Sequence, residues 1–83
     1  MDKDEILRRF ERQSIEPEQL RIIELMTHYF HDIAEDILEI TRPNREQSLA
    51  LTALEEAKYW VNQSIAQHGA AAPFDEIAPK VTL

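Results

Sequence analysis

The chain reads as an all-α protein: a short N-terminal helix followed by a long antiparallel helical hairpin. Three observations predict it. The four prolines and the single glycine stand at places where helices begin or end, and no proline interrupts residues 18–42 or 44–68. Apolar residues in the first of these stretches recur at alternating intervals of three and four, the spacing of one helical face. The second stretch opens with Asn44 at an N-cap position and Gln47 three residues on, an arrangement that satisfies free amides at a helix start. Two long helices joined by a tight turn make an αα-hairpin.

In chain order, Asp2 to Arg12 has the pattern of a short amphipathic helix. Ile6, Leu7 and Phe10 lie on one side, and Arg8, Arg9 and Arg12 make it the most basic segment. Pro17 suits the first turn of the next helix, where its missing N–H costs nothing. That helix carries an apolar seam of Ile23, Met26, Phe30, Ile33, Ile37 and Ile40, with a second stripe of Ile22, Leu25 and Tyr29 beside its N-terminal half. The last helix is expected to face it with Ala50, Leu54, Ala57, Val61 and Ser64, flanked by Leu51 and Ile65. Large side chains opposite small ones fit a closely spaced, interdigitated pair. Residues 1–69 therefore form the hairpin domain, and 70–83 a tail that reads as extended. Phe74 and Ile77 of the tail could dock on a neighbour; a disordered segment is the alternative.

Eighty-three residues make one domain at most, and a chain this short shelters a small share of its surface. Such scaffolds need disulfides, a metal or partner subunits. The chain has no cysteine, which removes disulfides and thiolate metal sites. Self-association is the expected support. Trp60 points partly off the facing stripe and, with Ile22, Leu25 and Tyr29, would leave an apolar patch that monomers rarely expose. Copies of the chain packing on that patch would cover it, as in symmetric homo-oligomers.

The formal charge of −7 and pI near 4.8 argue against DNA or RNA as partners. A small anion responds to local charge instead. No apolar run approaches the roughly 20 residues of a membrane span. Met1-Asp2-Lys3-Asp4-Glu5 lacks the basic region and apolar core of a signal peptide. A soluble, intracellular protein is expected, with no membrane partner.

Asp32, Glu35 and Asp36 on one arm and Glu55 and Glu56 on the other suggest the paired carboxylates of helical magnesium-dependent nucleotide pyrophosphatases. Lys58 and Tyr59 stand where a further carboxylate would be required, and solvated helix faces account for the acids. His28 and His31, three residues apart, have no obvious third ligand, and no metal or other cofactor is expected. His68, beside Gly69, suits the negative end of a helix. Nothing resembles a nucleophile triad, a P-loop or a glycine-rich fingerprint, so no enzymatic activity is expected. A binding protein remains. Arg8, Arg9, Arg12, Arg42 and Arg45 could meet phosphate, and Phe10, Tyr59 and Trp60 could stack on a base. The plainer reading is that Arg45 pairs with an acid across an interface and Trp60 is core.

The second long helix is similar to the pattern S-R-E-x-S-L-A-L-T-x-L-E-E-A-x-x-W-A-N-x-x-I-A of the anti-CBASS cyclic-nucleotide sponge family of bacteriophages. That family shares its helical hairpin domain with sponges that counter the Thoeris defence. Asn44 stands for the first serine and Val61 for the alanine. Arg45, Glu46, Ser48 to Thr52, Leu54 to Ala57, Trp60, Asn62, Ile65 and Ala66 match in register. Upstream, Phe10 and Pro17-Glu18-Gln19 fall at the usual spacing, so the resemblance spans about 10–67. It implies a homo-hexamer of interlocked dimers in the host cytoplasm. Such a hexamer sequesters cyclic di- and trinucleotides without cleaving them, in dinucleotide pockets between protomers. An aromatic residue from the N-terminal arm would stack on a base, and a basic residue of the first long helix would meet phosphate.

Three positions depart from that pattern. Arg12 stands where tyrosine is frequent, Thr27 (with His28 next) where a basic residue is common, and Gln67 where an arginine is associated with trinucleotides. Arginine can both stack and meet phosphate. The resemblance thus assigns ligand binding to Phe10, Arg12, Thr27, His28 and Arg45, with cyclic dinucleotides as the partner and trinucleotide binding in question. The competing expectation is a helical-hairpin oligomer that grips a host protein through Phe74, Ile77 and the tail.

Overall fold

A computed structural model describes residues 2–8 and 15–81. Among them the chain forms four helices: α1 (Lys3–Arg8), α2 (Pro17–Ile40), α3 (Arg45–His68) and α4 (Phe74–Val81). The expected helix Asp2 to Arg12 is present over Lys3–Arg8, and the remainder of that expectation lies outside the described residues. α2 and α3 are each 24 residues long and run side by side as the predicted hairpin. No described helix is long and apolar enough to cross a membrane.

The hairpin's ends are fixed by side chains the sequence singled out. Pro17 occupies the first position of α2, and the Glu16 amide donates to Gln19 Oε1 at 3.3 Å. At the turn, Thr41 closes α2 by donating both its amide (3.0 Å) and its hydroxyl (2.6 Å) to the Ile37 carbonyl. Asn44 Oδ1 accepts the Gln47 amide at 2.7 Å, as an N-cap should. The Gln47 side chain does not return to Asn44 as a reciprocal capping box would have it. Its Nε2 reaches back across the turn to Thr41, 3.0 Å from the hydroxyl and 3.4 Å from the carbonyl. Gln47 is the one buried polar residue described, and this bond locks the start of α3 to the end of α2.

α3 ends at Gly69, whose amide donates to the Ile65 carbonyl at 2.9 Å. Its φ of 78° and ψ of 171° lie in a region that only glycine enters without strain. A Cβ there would also come within 3.1 Å of Gln19 Nε2.

The packing corrects one expectation about α3. Ala50, Ala57 and Ser64, expected to face α2, are exposed, as is Ala53. The inward row is Gln47, Leu51, Leu54, Lys58, Val61, Asn62 and Ile65, all buried or half-buried. Leucine, valine and isoleucine each remove far more apolar area from water than alanine does, so the helix turns its larger residues inward. The small-residue stripe is left facing out, about a quarter turn away. On α2, Ile22 is 2% exposed, whereas Ile40, the last residue of the expected seam, is 80% exposed.

The tail is the second correction. It is not extended over its length: Phe74–Val81 is a helix, with Asp75 and Glu76 in its first turn and Pro79 inside it. In an eight-residue helix a proline near the C-terminus removes only one backbone donor. α4 packs against α2. The Phe74 amide donates to Glu18 Oε1 at 3.3 Å, and the Arg21 guanidinium lies 4.1 Å from the centre of the Phe74 ring. Ile77 lines an apolar cleft with Ile22, Met26, Val61 and Ile65. The stripe Ile22, Leu25, Tyr29, expected to await a second copy, is thus partly covered by the chain's own C-terminal helix.

Two substitutions test these local devices by unfolding at fixed protein concentration. Gly69→Ala should lower stability by about 1–3 kcal/mol, because alanine must adopt a glycine-only backbone. Asn44→Ala should cost about 1 kcal/mol through loss of the cap. An unchanged melting temperature for Gly69→Ala would show that the α3–α4 link relaxes at no cost.

Candidate ligand site

Of the residues that the sequence nominated, Thr27, His28 and Arg45 are described, and they do not converge within one chain. Phe10 and Arg12 lie outside the described residues. Thr27 and His28 are neighbours midway along α2 but open onto different sides of the hairpin, since each step in a helix turns the side chain by about 100°. Arg45 is exposed in the first turn of α3, at the opposite end of the hairpin from Gly69. Thr27 is fourteen residues from the turn at Thr41, or about 20 Å along the helix axis at ~1.5 Å per residue. One chain therefore cannot bring Arg45 and Thr27 to the same small ligand.

His28 lines a groove of about 280 Å³ with Leu25, Tyr29, Asp32, Asp36 and, from α4, Val81. Two carboxylates and no lysine or arginine make it a poor place for an anion. Thr27 lines a different groove, of about 400 Å³, between α2 and α3. Its hydroxyl donates to the Ile23 carbonyl at 2.8 Å and accepts from Asn62 Nδ2 at 3.4 Å. The hydroxyl proton is therefore already engaged, and what Thr27 offers an incoming group is mainly an acceptor. Asn62 Oδ1 is buried without a hydrogen-bond partner among the described residues.

The same groove holds two residues that sequence reasoning did not assign to a ligand, His31 and Lys58. Lys58 could have been found: it lies seven residues after Leu51 and four after Leu54, on the inward row of α3. His31 is exposed, its Nδ1 3.8 Å from Asp32 and 3.6 Å from Glu35. These three side chains could converge on a cation, but all are open to water and sit on a solvated face.

The outer surface of α3 carries a large aromatic patch. Tyr59 and Trp60 meet edge to face, their ring centres 5.1 Å apart, and are 53% and 66% exposed. The exposed Ala53 and Ala57 lie on the same outward side as Trp60, and Leu49 extends the patch, 56% exposed. Gln67, near the end of the helix, is also exposed and donates to Gln63 Oε1 at 3.2 Å.

Compared with known families, residues 2–66 match the model described as Acb2/Tad1, hairpin domain. The match includes α1, α2 and nearly all of α3, and ends before Gly69 and α4. Comparisons with curated proteins and with solved structures returned no match.

Thr27 and Asn62 form the one direct hydrogen bond described between α2 and α3 along the groove. Thr27→Val should lower stability by about 1 kcal/mol by leaving the Asn62 amide without its acceptor. The double variant Thr27→Val, Asn62→Leu should lose less than the sum of the two single changes. Strictly additive losses would mean that the two side chains are not coupled.

Proposed function

The chain belongs to the Acb2/Tad1 hairpin-domain family, and from that premise we propose that it is a phage anti-defence protein that sequesters cyclic dinucleotides. It would act in the host cytoplasm, withholding the second messengers of CBASS immunity from their effector without cleaving them. The observation that carries this reading is the exposed small-residue face of α3, formed by Ala50, Ala53, Ala57 and Ser64. Small side chains let a second helix approach closely, and Leu49 and Trp60 beside them need cover. Copies of the chain pack through this face into a homo-oligomer, a hexamer by the family resemblance, and the ligand pockets lie along the seams between copies.

Assembly of that kind resolves the separation between the nominated residues. Arg45 of one copy, at a hairpin tip, meets the middle of α2 of another. Phosphate is then held by Arg45 and Arg12 near Thr27, and a base stacks on Phe10 or the Arg12 guanidinium. Arg45 adds its charge to the free amides of the α3 start, a favourable place for an anion. Gln67 brings no cation to its end of α3, which favours dinucleotides over trinucleotides. Sequestration needs affinity and abundance rather than catalytic groups. The competing reading, a grip on a host protein through Phe74 and Ile77, is weakened because both are half-buried in α4, which packs on the chain's own α2.

Calorimetry and native mass spectrometry against a panel of cyclic di- and trinucleotides test the proposal. Binding of at least one dinucleotide below about 10 μM, roughly −7 kcal/mol, with the nucleotide recovered intact, is the expected result. Failure of the whole panel at that level would sink it. Ala57→Leu separates assembly from folding: on an exposed site it should change the stability of a lone hairpin by less than about 0.5 kcal/mol. In the oligomer it should lower the mass measured by light scattering. A wild-type chain that stays monomeric at micromolar concentration would remove the between-copy pockets.

A further inference from the structure

We propose that the groove between α2 and α3 is itself a phosphate subsite for the nucleotide ligand, with the Lys58 ammonium as its cation. The inference rests on the sponge reading and deepens it, since it assigns a ligand contact inside each hairpin in addition to those between copies.

Lys58 is half-buried and on the inward row of α3, where a purely apolar seam would carry leucine or valine. The chain has 16 acidic residues against 9 lysines and arginines, yet Lys58 has no ion pair or hydrogen bond among the described residues. The described ion pairs are those of His31 with Asp32 and Glu35. Glu55 shares the groove wall with Lys58 and still does not come within ion-pairing distance. The Lys58 ammonium thus lines the groove without a counter-charge in contact among the described residues, and an anion entering the groove supplies one.

The remaining walls suit the rest of a nucleotide. Phe30 and Leu54 give an apolar surface on which a base can lie, and His31 stands beside Thr27 at the polar edge. Thr27 Oγ1, its proton given to Ile23 and one lone pair taken by Asn62, has acceptor capacity left for a base N–H. A volume of about 400 Å³ falls in the range of small-ligand sites. The His28 groove on the other side has carboxylates from Asp32 and Asp36 and no lysine or arginine, whereas here the single carboxylate of Glu55 is accompanied by the Lys58 ammonium.

The test uses the full chain and a cyclic dinucleotide identified from the panel. Lys58→Met keeps the buried stem but removes the charge, and Lys58→Arg keeps the charge. With melting temperature and oligomer mass unchanged, Lys58→Met should weaken binding at least tenfold and Lys58→Arg no more than about threefold. Independently, the Lys58 ε-methylene resonance of the wild-type protein should move on ligand addition. Wild-type affinity in Lys58→Met, or an unmoved Lys58 resonance in the bound state, overturns the subsite and leaves the sponge reading intact. A wild-type protein that binds no cyclic dinucleotide overturns both.

Discussion

Two 24-residue helices have to be held together in a chain with very little interior. Among the described residues the buried apolar side chains are Ile22 and Ile65, at 2% and 8% exposure. They share one cleft at the base of the hairpin, with Ile77 of α4 and the backbone around Gly69. At the other end the helices are joined by polar contacts, with Gln47 bridging to Thr41 and Asn44 capping α3. The middle is only half-buried. Hydrophobic burial at about 25 cal/mol per Å² can do little for so open a hairpin, and Trp60, Tyr59, Leu49 and Ile40 remain largely in water. The fold is thus set by local capping and a small apolar knot, and much of its apolar surface stays exposed in the single chain.

Much of this was legible in the sequence. Proline and glycine placement, Pro17 at the start of α2, the Asn44 cap and the turn around Pro43 follow from local backbone chemistry, which acts within four residues. Facing surfaces were less legible. On α3 both the Ala50, Ala57, Ser64 row and the Leu51, Leu54, Ile65 row have helical periodicity. They differ by about a quarter turn, and the larger burial of leucine and isoleucine decides between them. The helix α4 was missed because an alanine run followed by two prolines reads as a break. Its stability comes from contacts with Glu18 and Arg21, more than fifty residues earlier in the chain.

The candidate site was legible only as residue types. Thr27 and His28 are adjacent, yet helical rotation sends them to different grooves. No pattern in the sequence separates the two grooves; their linings do, with Asp32 and Asp36 and no lysine or arginine in one, and Lys58 with Glu55 in the other. Lys58 itself was visible, but in a survey for carboxylates it counts only as a missing acid. Its meaning depends on which row of α3 faces inward, and that was the point on which the sequence was ambiguous. An overall charge of −7 does not forbid an anionic ligand, because screening confines the field of distant exposed acids to about 8–10 Å at ordinary ionic strength.

α4 also bears on how copies of this chain can meet. The family match ends at residue 66, so α4 is an element beyond the shared hairpin. It covers part of the Ile22, Leu25, Tyr29 side of α2, with Phe74 under Arg21 and Val81 near Leu25 and Tyr29. A second copy approaching from that side has to displace a docked helix. The Ala50, Ala53, Ala57 side of α3 has no such cover among the described residues and presents small side chains. If copies of the chain assemble as proposed, its own C-terminal helix therefore narrows the choice of interface to the outer face of α3, and leaves the α2–α3 groove open beside it.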